Sequence, residues 1–136
     1  RITSDVFALA TAVLFQSPVQ HFALTPNNLT DAPEWAINFM KEVPSTWDEV
    51  RFLDGYPGKY IILARRHQNK WYIAGINASS EEIKVKLHLP MISAGETISV
   101  YTDNARLVGK TSTEKLNKHQ QLQVSIPCNG GIVIVN

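Results

Sequence analysis

The stretch "VPSTWDEVRFLDGYPGKYIILARR", residues 43–66, changes character halfway along. It opens on Val43, Pro44 and small hydroxyl residues, then presents Trp47, Asp48 and Glu49. It closes as an alternating run that ends on Arg65 and Arg66. An aromatic beside two carboxylates fits two descriptions. One is an active site; the other is a seam, where one kind of structure hands the chain to another. The residues on either side decide between them.

Upstream the pattern is helical. Ser4 or Thr3 can cap a first helix running to about Phe15. Pro18 stops easy continuation. "TPNNLTDAPEW" is rich in turn formers, and Asp31 with Pro33 marks the start of a second helix. That helix carries Trp35, Ile37, Phe39 and Met40 and ends before Pro44.

Downstream of Pro44 the period falls to two. "KYIILARR" and "KWYIAGINA" flank His67, Gln68 and Asn69 as a hairpin. In "EIKVKLHL", Ile83, Val85, Leu87 and Leu89 face one way and Glu82, Lys84, Lys86 and His88 the other. "ETISVYT", "QLQVSI" and "GIVIV" read as three more strands, separated by "PMISAG", "DNARLVGKTSTEKLNKH" and "PCNGG". Short strands joined by polar or Gly/Pro turns predict a mainly β chain: an antiparallel β-sandwich behind a short helical segment. The boundary falls between residues 1–46 and 47–136.

The opening helix, with Val6, Phe7, Leu9, Val13, Leu14 and Phe15, is apolar around its circumference. Such a helix is normally buried on all sides. A small sandwich has one surface to offer it, so residues 1–46 read as the tail of another domain. Self-association through residues 6–15 is the expected way to cover what remains. "VFALATAVLF" is too short to span a bilayer, which takes about 20 residues, and with Asp5 before it makes a poor signal peptide. The chain begins at Arg1 without methionine, which reads as a piece of something longer, and any export signal would then lie upstream.

The totals agree with a globular domain. The 136 residues are 44% hydrophobic and 18% charged, with a net charge of +1. No basic cluster stands out, so neither nucleic acid nor membrane is an expected partner. Cys128 is the sole cysteine and excludes an internal disulfide.

Glycoside hydrolysis needs two carboxyls facing each other across the substrate. Asp48 and Glu49 are adjacent, and in extended chain adjacent side chains diverge. They read better as partners of Arg65 or Arg66. Asp31 and Glu34 suit a helix start. His21, His67, His88 and His119 lack metal-ligand spacing. Ser17 has no nucleophile elbow. "NLT" at 28 and "NAS" at 77 match the N-glycosylation pattern. Tyr60, Trp71, Tyr72 and Tyr101 form either sandwich core or a sugar-stacking strip, with at most one of Trp71 and Tyr72 in the core because they face opposite sides of one strand. No catalytic, cofactor-binding or metal-binding residue emerges. The seam candidates are Trp47, Asp48, Glu49, Arg65 and Arg66.

Several blocks in one order resemble the C-terminal end of glycoside hydrolase family 97. They are Phe15, Ser17, Pro18 and Gln20; Val43, Pro44, Thr46, Trp47, Asp48 and Glu49; Gly58, Tyr60, Ala64, Arg65 and Arg66; Trp71, Tyr72 and Gly75; and Gly130 with Gly131. Gln16, Ser45 and Val50 depart from the family pattern. The resemblance implies a bacterial, periplasmic or secreted enzyme acting on α-glucosides or α-galactosides. It implies an N-terminal sandwich, a (β/α)8 barrel with calcium in its cleft, and a C-terminal sandwich. Residues 1–46 would end the barrel, and the sandwich would support it without doing chemistry. The alternative is a carbohydrate-binding or protein-interaction sandwich module.

Overall fold

The computed structural model describes residues 4–14, 34–44 and 46–136. Expectations resting on Phe15, Ser17, Pro18, His21, Asn28, Asp31 and Pro33, or on the side chains of Ile37 and Met40, lie outside what is described. Among the described residues, two helices come first, α1 (Asp5–Leu14) and α2 (Glu34–Glu42). Eight strands follow: β1 (Glu49–Tyr56), β2 (Tyr60–His67), β3 (Lys70–Asn77), β4 (Ile83–His88), β5 (Thr97–Asp103), β6 (Gly109–Lys115), β7 (Gln121–Ile126) and β8 (Gly131–Val135). The fold is mainly β and antiparallel, as the period of two predicts.

Six strands form one sheet in the order β1-β2-β3-β8-β5-β6, and β4 pairs with β7 in a second. β2 and β3 are a tight hairpin with His67 opposite Lys70, and Gln68 takes a positive φ of 55° at its turn. β8 enters between β3 and β5 and pairs with both. Two strands lie beyond the runs singled out above. β1 precedes "KYIILARR" and pairs with it. β6 lies inside the polar stretch read as a connection. It is an edge strand, "GKTSTEK", exposed along almost its whole length, so no buried face imposed an apolar alternation.

The large sheet has two buried faces. Toward β4 and β7 it presents Ile62, Ala64, Trp71, Ile73, Ile98, Val100, Ile132 and Ile134, which pack with Leu87, Val124 and Ile126. The opposite face presents Tyr72, Ala74, Val133 and Val135, which pack against Leu9, Ala10, Val13 and Leu14 of α1 and Phe39 of α2. Helices, large sheet and small sheet therefore make three layers. This explains why β8 is buried at every position rather than alternately.

The third layer corrects one expectation and bears on another. Trp71 and Tyr72 are both core residues, 7% and 5% exposed, because each of the opposed faces is covered. α1 also finds much of its cover within the chain, with Phe7, Ala8 and Thr11 left partly exposed. Val6, Leu9, Ala10, Ala12, Val13 and Leu14 are at most 4% exposed within this one chain. Burying one such large side chain is worth about 1.5–3 kcal/mol, so lying on the sheet hides most of the apolar surface of the helix.

Candidate functional site

The seam candidates meet where α1 ends, α2 leads into β1, and the β2–β3 hairpin turns. Ring contacts knit this region together. Trp35 stacks near Tyr101 at 5.7 Å. Phe39 meets Tyr101 edge-on at 5.3 Å and Tyr72 at 6.4 Å. Trp47 meets Tyr72 edge-on at 5.3 Å. An aromatic chain thus runs from α2 across the helix-side face to the start of the sandwich, in the offset or edge-to-face geometries that rings prefer. Burial pushes the Tyr72 and Tyr101 phenols above their ordinary range, with the Glu42 charge acting in the same direction.

The two arginines part company because adjacent strand residues face opposite ways. Arg66 faces the carboxylates: its Nε donates to Glu49 Oε1 at 3.3 Å, and its Nη1 lies 3.9 Å from Asp48 Oδ2. Arg65 instead points under the helices. It is 7% exposed, and its Nη2 donates to the carbonyl of Leu14 at 2.6 Å. It therefore caps the C-terminal end of α1, where the helix dipole favours a cation. The Trp47 ring lies 5.9 Å from its guanidinium carbon. Arg65 Nε and Nη1 find no acceptor among the described residues. Burial lowers the Arg65 pKa, yet a guanidinium keeps its charge in proteins.

The carboxylates have local partners. Asp48 Oδ2 accepts from the Gln68 backbone N–H at 2.7 Å, while the Asp48 N–H donates to the Arg66 carbonyl at 2.7 Å. Glu49 Oε2 accepts from Arg51 Nε at 2.6 Å. That bond leads the causes that hold the Glu49 carboxyl below its ordinary range, with Arg66 adding to it. Arg51 also lies over Trp71, 4.8 Å from the ring centroid. A cleft of about 670 Å³ opens beside the seam, between Glu42, Thr46, His67, Lys70 and Glu96. Glu96 is engaged on both oxygens, by the Ser93 N–H and by Asn136 Nδ2. Chemically, this region is a set of fasteners.

Two further fasteners are built on long-range partners, one of them at the expected Ser4 cap. Ser4 caps α1 through its Oγ, which accepts from the Phe7 N–H at 2.9 Å and donates to Asp103 Oδ2 at 2.5 Å. Asp103 Oδ2 also accepts from the Gly131 N–H at 2.8 Å. One buried carboxylate thus ties helix start, β5 and β8 together. Burial raises its pKa, against the lowering effect of those two hydrogen bonds. Gly131 has a steric reason: a Cβ there would stand 2.8 Å from the Phe7 Cα. The other fastener is Asn77, the "NAS" asparagine. It is fully buried, donates to the carbonyls of Glu81 and Ile126, and accepts from Ser79. Its amide is committed to the fold, so in the folded chain it is no glycan acceptor. Asp103 and Asn77 sit at strand ends among turn formers, where the sequence signal for a turn hides the signal for a buried anchor.

No group of three or more His, Cys, Asp or Glu side chains able to hold a metal occurs among the described residues. No helix among them is long and apolar enough to cross a membrane.

Comparison with known proteins places this arrangement. A retaining alpha-galactosidase of Bacteroides thetaiotaomicron is 34% identical over 131 residues, covering 93% of this chain and 20% of that protein. The crystal structure of a beta-arabinopyranosidase superposes with a TM-score of 0.92 at 49% identity, covering 98% of this chain and 21% of the other. A glycoside hydrolase family 97 enzyme from Pseudoalteromonas sp. strain K8 shares the fold at a TM-score of 0.67 and 22% identity, over 82% of this chain and 19% of the other. The chain thus spans about a fifth of the length of these proteins. The model described as glycosyl-hydrolase 97 C-terminal, oligomerisation, matches residues 46–135, from the seam to the last strand, and the chain belongs to that family.

Proposed function

We propose that this chain is the non-catalytic C-terminal part of a bacterial glycoside hydrolase that removes terminal sugars of galactose-like configuration. The observation that carries the proposal is the match to an alpha-galactosidase and a beta-arabinopyranosidase over nearly all of this chain, helical lead-in included. The two substrates fit one specificity. L-Arabinopyranose has the ring configuration of D-galactose and lacks its hydroxymethyl group. A pocket shaped for one ring accepts the other more readily than glucose, whose C4 hydroxyl points the opposite way. This narrows the choice between α-glucosides and α-galactosides toward the latter.

In this reading residues 1–46 close the catalytic barrel and residues 47–136 form the supporting sandwich. Catalytic carboxylates and the calcium implied by the family resemblance belong to the barrel, upstream. The enzyme works in the periplasm or outside the cell. The fasteners at Ser4–Asp103 and Leu14–Arg65 support it, because they hold the lead-in helix against the sandwich at both ends.

Initial rates of the intact polypeptide on nitrophenyl α-galactopyranoside, β-L-arabinopyranoside and α-glucopyranoside test the proposal. Turnover of the first two above the third is expected. Preference for the glucoside, or no turnover of any, would overturn it. The 136-residue chain alone is expected to turn over none of them.

A further inference from the structure

β5 and β6 are joined by residues 104–108, "NARLV". The connection closes on Asn104. Its Oδ1 accepts from the N–H groups of Arg106 and Val108 at 2.9 and 3.1 Å. Its carbonyl accepts from the Leu107 N–H at 2.9 Å, and its own N–H donates to the Val108 carbonyl at 3.2 Å. Leu107 is held there at a φ of 61°. Among the described residues, the other non-glycine residues at positive φ are Gln68, Gln120 and Asn129, all polar. A hairpin tip that meets only water is best served by Asn, Asp or Gly at such a position. A bulky side chain there is an outlier and strains the backbone. The next residue, Val108, stands 60% exposed. The tip thus presents two adjacent apolar side chains in a conformation that water alone gives no reason to keep.

The stems of this tip hold the point where the chain enters. Asp103 and Gly109 pair across β5 and β6. Asp103 Oδ2 accepts from Ser4 Oγ at the head of α1. Gly109 lies under the lead-in helices: a Cβ there would stand 2.8 Å from the Trp35 ring and 3.1 Å from Val6 Cγ2. Tip and lead-in therefore share one end of the molecule. Polypeptide that precedes Ser4 arrives beside Leu107 and Val108. This chain spans about a fifth of its relatives' length, and the matching model is a C-terminal one, so the remainder lies upstream.

We propose that the β5–β6 tip is a docking contact within one polypeptide, through which Leu107 and Val108 press on an apolar patch of the part that precedes Ser4. The proposal rests on the reading of this chain as the C-terminal part of a larger enzyme. Continuity supports it, because the stems of the tip already receive Ser4, Val6 and Trp35. The outer face of the β4–β7 sheet makes the contrast. Lys84, Lys86, Gln123 and Ser125 stand exposed there, a polar face suited to water.

The test uses the intact polypeptide. A photoreactive benzophenone side chain is placed at position 108 or 106, and at position 86 for comparison, and the products are mapped by mass spectrometry. Cross-links from the tip to peptides upstream of Ser4 in the same polypeptide are expected, in excess over those from position 86. Cross-links only between copies, or none upstream from either tip position, would overturn the proposal. The second measurement is thermal. Val108→Asp is expected to lower the melting temperature by about 2–4 °C, the scale of one apolar contact in a large domain, with sedimentation unchanged. An unchanged or raised melting temperature is what a solvated tip gives, and it too would overturn the proposal. If Val108→Asp does not fold, Val108→Ser takes its place. Cross-linking does not depend on turnover. Upstream cross-links in an enzyme that prefers the glucoside would sink the galactosidase reading and leave this contact standing.

Discussion

The two faces of the six-stranded sheet are buried to a similar degree and built differently. The face toward β4 and β7 is made chiefly of isoleucine, valine and alanine, with Trp71 at its margin. The face toward the helices carries Tyr72, Tyr101, Arg65 and Asp103, and it meets Ser4, Trp35, Phe39 and Trp47. The first is an apolar core with a single polar tie named above, Asn77 at the end of β3, which donates to the Ile126 carbonyl of β7. The second has the character of an interface, with aromatic rings and a few buried hydrogen-bonded anchors. Buried polar groups fix which arrangement forms, since each must find its partner. A face that receives a separate helical segment needs that kind of instruction. The face that folds on its own strands relies less on it, with Asn77 as its buried anchor.

If this contrast is right, damage on the two faces differs in kind. Ile134→Ala on the apolar face leaves a cavity at the centre of the sheet, and a cost of about 2–5 kcal/mol is expected. Urea unfolding followed by tryptophan fluorescence and by far-ultraviolet circular dichroism should shift together. Leu9→Ala removes a similar volume from the helix side. A loss nearer the lower end, about 2–3 kcal/mol, is expected, with helical signal lost before sheet signal. Coincident transitions in Leu9→Ala would dissolve the distinction between the faces.

Arg65→Ala sharpens the same point. It leaves the Leu14 carbonyl buried without its donor, worth about 1–3 kcal/mol. Faster hydrogen exchange is expected in the last turn of α1, with β3 and β8 protected as before. Uniformly faster exchange would mean that Arg65 supports the sandwich rather than the helix.

Much of this architecture was legible. Alternation in "EIKVKLHL" placed β4 and its buried side, and Ser4 announced a helix start that the structure uses. The third layer was not read, although a clue was present. "GIVIV" and "WYIAGI" are apolar without alternation, which is how a strand buried on both faces reads. Treating the sheet as one-sided led to the wrong fate for Tyr72 and hid the cover that α1 finds on the sheet. β6 was invisible for the opposite reason, since no face of "TSTEK" is buried. Asp103 and Asn77 could not be found by local pattern. Their partners lie up to 99 residues away, at Ser4, and 49 away, at Ile126. Arg65 and Arg66 show both limits: their parity predicts that they diverge, but only the fold says what each finds.

The Asp103 anchor separates the faces by pH. Its carboxyl is raised above the ordinary 3.8 chiefly by burial. The folded chain then holds this proton more tightly than the unfolded chain, so between the unfolded and folded values the native state binds more protons. Stability from this group is greatest below the ordinary aspartate range and declines as pH rises through the folded-state pKa. Asp103→Asn keeps an acceptor for Ser4 and Gly131 and removes the buried charge. Melting temperatures from pH 3 upward should lose this downward component in the variant. An unchanged slope would show that Asp103 titrates as an ordinary carboxylate.

The smallest effect is expected at the seam, where Glu49 carries the opposite sign. Its carboxyl sits below the ordinary 4.5, first because Arg51 donates to it and then because Arg66 does. The folded chain holds this proton less tightly than the unfolded one. Its contribution is therefore present above the ordinary glutamate range and is lost as pH falls through the folded-state value. The pairs are partly exposed, with side chains 33–44% accessible in Arg51 and Arg66, so solvent and salt screen them. Glu49→Gln keeps an acceptor for one arginine and removes the charge. The expected result is a slightly flatter acid limb at low ionic strength and no difference from wild type at high salt. A large, salt-independent loss would mean that Glu49 does more than join β1 to β2.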